Sequence, residues 1–165
     1  MSTSRTTEQD HLRSRLPDPD LHIPEIAVAV SQATENGSLP RTTVSLVQLR
    51  LGQLIGSTHH TLQQTAALRR AGEAEERIVA VATWQDAPCF TAAERVALEL
   101  VDALLIPNPF GEQISDELYA RAVEHYDDKA LLTLCMAIGR SCSSTPVTLV
   151  GTPVPGRPPG QNRHK

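Results

Sequence analysis

Apolar residues recur along most of the chain at the three- and four-residue spacing of amphipathic helices, not in the alternation of strands. Pro24 suits the opening of a first helix, read from Ile23 to about Thr34 and stopped by Asn36-Gly37-Ser38. Pro40-Arg41-Thr42 begins a second, in which Val47, Leu51 and Leu54 follow i, i+4 and i+7 and so face a core. Gly56-Ser57 interrupts that run. Ser57 is a favourable N-cap for a third helix, Thr58 to Ala71, with Gly72 as the C′ residue that closes it. A fourth helix is predicted from Glu73 to about Trp84, with its glutamates at the positive end of the dipole. Thr91 and Glu94 have capping-box spacing and precede the stripe Val96, Leu100, Val101, Leu104 and Leu105. Beyond a loop at 107–111, two more helices are expected, Asp116–Tyr126 and Lys129–Ser141. No strand pattern survives, and the predicted fold class is all-α, a compact multi-helix domain.

The ends break this pattern. Residues 1–20 are polar and read as a flexible segment, 21–150 as the helical domain, and 151–165, with four Pro and three Gly, as a disordered tail. A chain of 165 residues can bury a core without disulfide or metal staples. A net charge of −4, with the cationic residues scattered, argues against a nucleic-acid partner. No apolar run approaches the roughly 20 residues of a membrane helix, and the N-terminus lacks the apolar stretch of a secretory leader. The expected compartment is the cytoplasm. Cys89, Cys135 and Cys142 have no paired spacing and are expected to be buried small hydrophobes. No zinc pattern, P-loop or dinucleotide fingerprint occurs, so neither a metal nor an organic cofactor is implied.

The least generic stretch is 50–72, RLGQLIGSTHHTLQQTAALRRAG. Free N–H groups at the start of the third helix favour an anion or developing negative charge. Ser57 and His60 are three apart and Gln64 is one turn further, so the three can share one face. A serine within reach of a histidine suggests base-activated chemistry, although Ser57 could serve only as a cap. His59 and His60 point about 100° apart, so at most one is expected to face a given cavity. No acidic residue stands nearby to orient the imidazole.

From about Pro40 to Cys142 the chain resembles the alkylhydroperoxidase D-like superfamily, also called the carboxymuconolactone decarboxylase family. The resemblance rests on Leu46-Val47-x-Leu49-Arg50, Gln53, Gly56, Arg69 and Ala71-Gly72. It continues through Glu76-Arg77, Ala82-Thr83-Trp84 and Phe90-Thr91-x-x-Glu94-Arg95-x-Ala97-Leu98. It implies an all-helical domain that assembles as a homo-oligomer, a trimer or hexamer, with sites close to subunit contacts. Redox members of that family carry a Glu followed by Cys-x-x-Cys-x-x-x-His. Here Ser45 replaces the Glu, Ser57 and His60 the two Cys, and Gln64 the His. Cysteine peroxidase chemistry is therefore not supported, and decarboxylase members keep a His where Gln64 stands.

The replacements are polar, which suggests a wet cavity or a bound polar ligand, because an unpaired buried polar group costs about 1–3 kcal/mol. The leading expectation is a cofactor-free, non-redox enzyme acting on a small organic molecule by decarboxylation, elimination, isomerisation or cyclisation. His60 would be its general acid or base and Ser57 the second catalytic group. Ser45, Gln53, His59, Gln64 and Trp84 would bind substrate, with packing the stronger expectation for Trp84. The alternative is a catalytically silent member that binds a ligand or partner protein. A third reading is a structural subunit whose pocket holds only water.

Overall fold

The computed structural model describes residues 24–151. The sequence readings at 1–20 and in the tail beyond Gly151 lie outside the described residues. Within them are seven α-helices and one short 3-10 turn: α1 (Pro24–Thr34), α2 (Arg41–Leu54), α3 (Thr58–Arg70), α4 (Glu75–Ala80), the turn Val81–Thr83, α5 (Ala92–Leu105), α6 (Asp116–His125) and α7 (Asp128–Gly151). The all-α class expected from the periodicity is the class observed.

The second helix is the hub. Leu46, Val47, Gln48, Leu49, Arg50 and Leu51 are all buried, so α2 is enclosed on every side, by α3, α5, α7 and the 3-10 turn. It divides the interior into two apolar clusters. Val47 and Leu51 pack with Val96, Leu100 and Val101 of α5, Leu118 and Ala122 of α6, and Leu134 and Ile138 of α7. Leu46 and Leu49, on the other side, pack with Leu68, Ile78, Val81, Trp84, Phe90 and Leu98. Burial of such side chains stabilises the fold by roughly 1.5–3 kcal/mol each.

A buried ion pair joins the two central helices. Arg50 donates from Nε and Nη2 to the two carboxylate oxygens of Asp102, at 2.6 and 2.9 Å. Trp84 Nε1 and Gln85 Nε2 donate to the same carboxylate at 3.0 and 2.9 Å. The remaining reach of Arg50 goes to the carbonyl of Ala82. Both charges are thus hydrogen-bonded as well as paired, the condition under which a buried charge is tolerated.

Two helices differ from the sequence reading. The fourth is shorter: Gly72 adopts φ +82° and Glu73 N–H bonds back to Leu68, so α4 starts only at Glu75. At its far end the chain tightens into the 3-10 turn Val81–Thr83, and the Ala82 and Trp84 carbonyls, which have no helical partner there, accept from Arg50 and Arg95. The seventh is longer, running ten residues beyond Ser141 to Gly151. In the serine- and threonine-rich segment after Ser141 the hydroxyls bond to carbonyls three or four positions back, Ser143 to Arg140, and Ser144 and Thr145 to Ser141, and so do not cap or end the helix. The cysteines also depart from expectation. Cys135 and Cys142 are exposed on α7 and Cys89 is half-buried, because α7 turns Leu134, Ala137, Ile138 and Ser141 inward instead.

Candidate functional site

The junction between α2 and α3 carries the site. The last turn of α2 closes in a full Schellman motif: Gly56 at φ +68° donates to Gln53, and Ser57 N–H donates to Gly52 at 2.9 Å. That reversal brings α3 back against α2. The close approach occurs at Gly52, where an added Cβ would lie 3.1 Å from both His60 Cβ and the Thr61 backbone nitrogen. Glycine there allows the backbone of α2 to support the first turn of α3 directly.

Ser57 caps α3 as predicted, its Oγ accepting from the His60 N–H at 3.4 Å. The same Oγ lies 2.9 Å from His60 Nδ1. On the far side of the ring, Nε2 lies 3.0 Å from the hydroxyl of Ser144 on α7. Ser144 was not among the sequence candidates. Its segment reads as a break after Ser141, and no local spacing links positions 60 and 144.

His60 is buried, and its pKa is lowered, first by burial and then by the charges of His59 and Arg140. Below its usual value of 6.5, the group is a neutral imidazole at physiological pH. Burial lowers the pKa of half-buried His59 too, and its ring meets that of His60 edge-on at 5.9 Å between centroids.

A shallow cleft of about 250 Å³ opens beside this arrangement, lined by Gly52, Gln53, Gly56, Ser57, Thr58, Thr61 and Leu62. Ser57 therefore stands in the wall, with the His60 ring bonded to it from behind. Gln53 Oε1 is buried in the same region without a hydrogen-bond partner. The structure thus brings Ser57, Gln53 and His60 together around one cleft. Ser45, on α2, and Gln64, one turn beyond His60 on α3, are half-buried and outside its lining. Trp84 lies in the second apolar cluster with its N–H on Asp102. No thiol lines the cleft. Among the described residues, no group of three or more His, Cys, Asp or Glu side chains is placed to hold a metal ion, and no helix is long and apolar enough to cross a membrane.

Residues 23–103 match the model of the carboxymuconolactone decarboxylase family. A relative in Bacillus subtilis, the uncharacterized protein YdfG, is 32% identical over 117 residues, covering 70% of this chain and 78% of its own. The chain belongs to the carboxymuconolactone decarboxylase family. The uncharacterized protein YnjA of Escherichia coli is 31% identical over 96 residues, 58% of this chain and 50% of its own. Among solved structures, an AhpD-related protein of unknown function from Agrobacterium tumefaciens superposes with a TM-score of 0.71 at 22% identity, over 85% of this chain and 96% of that one. The debrominase Bmp8, in complex with 2,3,4-tribromopyrrole, gives 0.67 at 15% identity, over 83% of this chain and 74% of that one. These two likenesses bear on the fold, which is the AhpD-like helical arrangement. Within the family this chain lacks the Cys-x-x-Cys-x-x-x-His motif, with Ser57, His60 and Gln64 in its place.

Proposed function

We propose that the chain is a cofactor-free, non-redox enzyme that moves a proton on a small organic molecule held in the cleft beside Ser57. The observation that carries this reading is the 2.9 Å approach of Ser57 Oγ to Nδ1 of a buried, neutral His60. A substrate proton passes to Ser57 Oγ as the serine's own proton passes to Nδ1, so His60 acts as general base through the hydroxyl. The imidazolium then returns the proton as general acid. The charge left on the substrate, an enolate or carboxylate, is held by the Thr58 and His59 N–H groups, which have no intrahelical partner at the start of α3. Gln53, with its unpartnered oxygen, offers an acceptor to a substrate N–H or O–H. Decarboxylation, elimination, isomerisation and cyclisation all contain such a transfer.

General acid–base groups typically contribute 10²–10⁴-fold. Purified protein and its His60→Ala variant, each incubated with a metabolite extract and followed by mass spectrometry, test the reading. A metabolite consumed by the unaltered protein, and at least about 100-fold more slowly by the variant, is the expected result. Equal consumption by both would remove His60 from the chemistry. A compound retained but not converted would favour the binding-only alternative, for which the orphaned Gln53 oxygen is the supporting observation.

We further propose that the protein is a cytoplasmic homo-oligomer. The support is an exposed, largely apolar stripe on α7, Leu132, Cys135, Met136 and Gly139, at the i, i+3, i+4 and i+7 spacing of a helix–helix contact.

A further inference from the structure

We infer that Ser144 is a positioning residue: it fixes the proton of His60 on Nε2 and so leaves Nδ1 bare to accept from Ser57. The description as a positioning residue rests on the reading of His60 as the base; the placement of the proton does not.

A serine hydroxyl has one proton to give and two lone pairs to receive with. The Ser144 hydroxyl gives its proton to the Ser141 carbonyl, at 3.1 Å, within its own helix. Toward His60, at 3.0 Å, it can then only accept, so the hydrogen between them belongs to Nε2. In a neutral imidazole the other nitrogen is an acceptor. Ser57 Oγ, 2.9 Å away, donates to it, and a lone pair of the same oxygen receives the His60 backbone N–H. Every hydrogen in this chain is used once and no two donors meet. The opposite tautomer would require Ser144 to turn its proton from Ser141 to Nε2, and would make Ser57 an acceptor from both the ring and the backbone N–H of His60. The Ser57 proton would then point away from the base it must reach.

Among the described residues, the two ring nitrogens of His60 are met by Ser57 and Ser144. Arg140 bears on His60 through its charge, yet its guanidinium donates to Thr34 Oγ1. His59 meets the ring edge-on, without a hydrogen bond to it. A hydroxyl also differs from the carboxylate that commonly orients a catalytic histidine. It selects the tautomer without adding a negative charge to hold the imidazolium, so the ring stays a weak base that releases its proton readily.

Long-range proton–nitrogen correlation spectra of the ¹⁵N-labelled full chain read the tautomer directly, with His60→Asn identifying the His60 signals. The expected spectrum at neutral pH shows a protonated Nε2 and a bare Nδ1. Ser144→Ala removes the acceptor and shifts the tautomer ratio about tenfold toward the Nδ1–H form, the change expected from one lost hydrogen bond. Ser144→Thr, which keeps a hydroxyl, restores the Nε2–H form. A proton on Nδ1 in the unaltered protein, or an unchanged ratio in Ser144→Ala, overturns the inference. Turnover by the His60→Ala variant is a separate readout: full activity there would end the catalytic reading of His60 and leave the tautomer result standing.

Discussion

The hydroxyl of Ser144 lies 3.0 Å from Nε2 of His60, although 84 positions separate the two residues. One end of α7 thereby completes a hydrogen-bonded chain that begins at the N-cap of α3. The site is tertiary, built from two helix termini, and its properties respond to the packing between them.

Acid should weaken the fold through the histidines. The folded chain binds the His60 proton less readily than an ordinary imidazole at 6.5, chiefly because of burial and then because of His59 and Arg140, and His59 is lowered by burial as well. Below about 6.5 the unfolded chain therefore binds more protons than the folded one. The stabilisation is complete above that value and is lost as the pH falls through the lowered folded pKa values. Urea midpoints at pH about 7.5 and 5.5, either side of the imidazole range, should fall on acidification, and fall less in His60→Gln. Identical losses in both proteins would show that His60 does not carry the effect.

Gly52→Ala should destabilise the chain despite the better helix propensity of alanine. The propensity gain is up to about 1 kcal/mol. The new Cβ would sit 3.1 Å from His60 Cβ and from a backbone nitrogen of α3, so relief requires moving a helix. Overpacking of this kind costs about 1–3 kcal/mol. A net loss of about 1–2 kcal/mol in denaturant titrations, with displaced His60 ring signals, is the expected outcome; a net gain would show that α3 yields easily.

Asp102→Ala should be among the most damaging single changes. It leaves the Arg50 charge buried and strips a partner from Trp84 and Gln85 together. Breaking a buried pair by removing one member typically costs 3–5 kcal/mol, here about 4. Circular dichroism during thermal unfolding measures it, and a loss below about 1 kcal/mol would mean that water reaches Arg50.

Charge on the outer face of α7 should dissociate the proposed homo-oligomer. Leu132 and Met136 are 68% and 48% exposed, so Leu132→Glu with Met136→Glu adds charge where no intrachain core is disturbed. Light scattering should report a smaller particle with unchanged helicity. An unaltered mass would place the subunit contact elsewhere or leave the chain monomeric.

The legible part of the molecule is the part governed by local rules. Ser57 capping His60 follows from three-residue spacing, and the Thr91–Glu94 box forms as its sequence requires. Asp127, just ahead of α7, accepts from the Ala130 N–H as a cap does. Failures arise where a distant group claims a backbone atom or a hydroxyl. Beyond Ala80 the chain leaves the α-helical path for the 3-10 turn, and the carbonyls freed at Ala82 and Trp84 go to Arg50 and Arg95, neither of which is near α4 in sequence. The hydroxyl-rich end of α7 looked like a terminus because such residues favour caps and turns; in the folded chain their bonds turn back into the helix. The same segment supplies the partner of His60, so misplacing the end of α7 also hid that partner. Ser45 was placed by resemblance and Gln64 by helical spacing as well as resemblance, whereas cleft lining is decided by how closely α2 and α3 approach at Gly52.

Neither apolar cluster takes a buried residue from α7 beyond Ile138, while Ser144 lies nearly two turns further on. Pro146 removes one backbone hydrogen bond from that last stretch. Amide exchange there should follow a local opening reaction rather than global unfolding. A population that is fully native by every bulk probe then contains a fraction of molecules with the terminal turns open, and the free energy of that opening sets the share whose imidazole tautomer is no longer fixed.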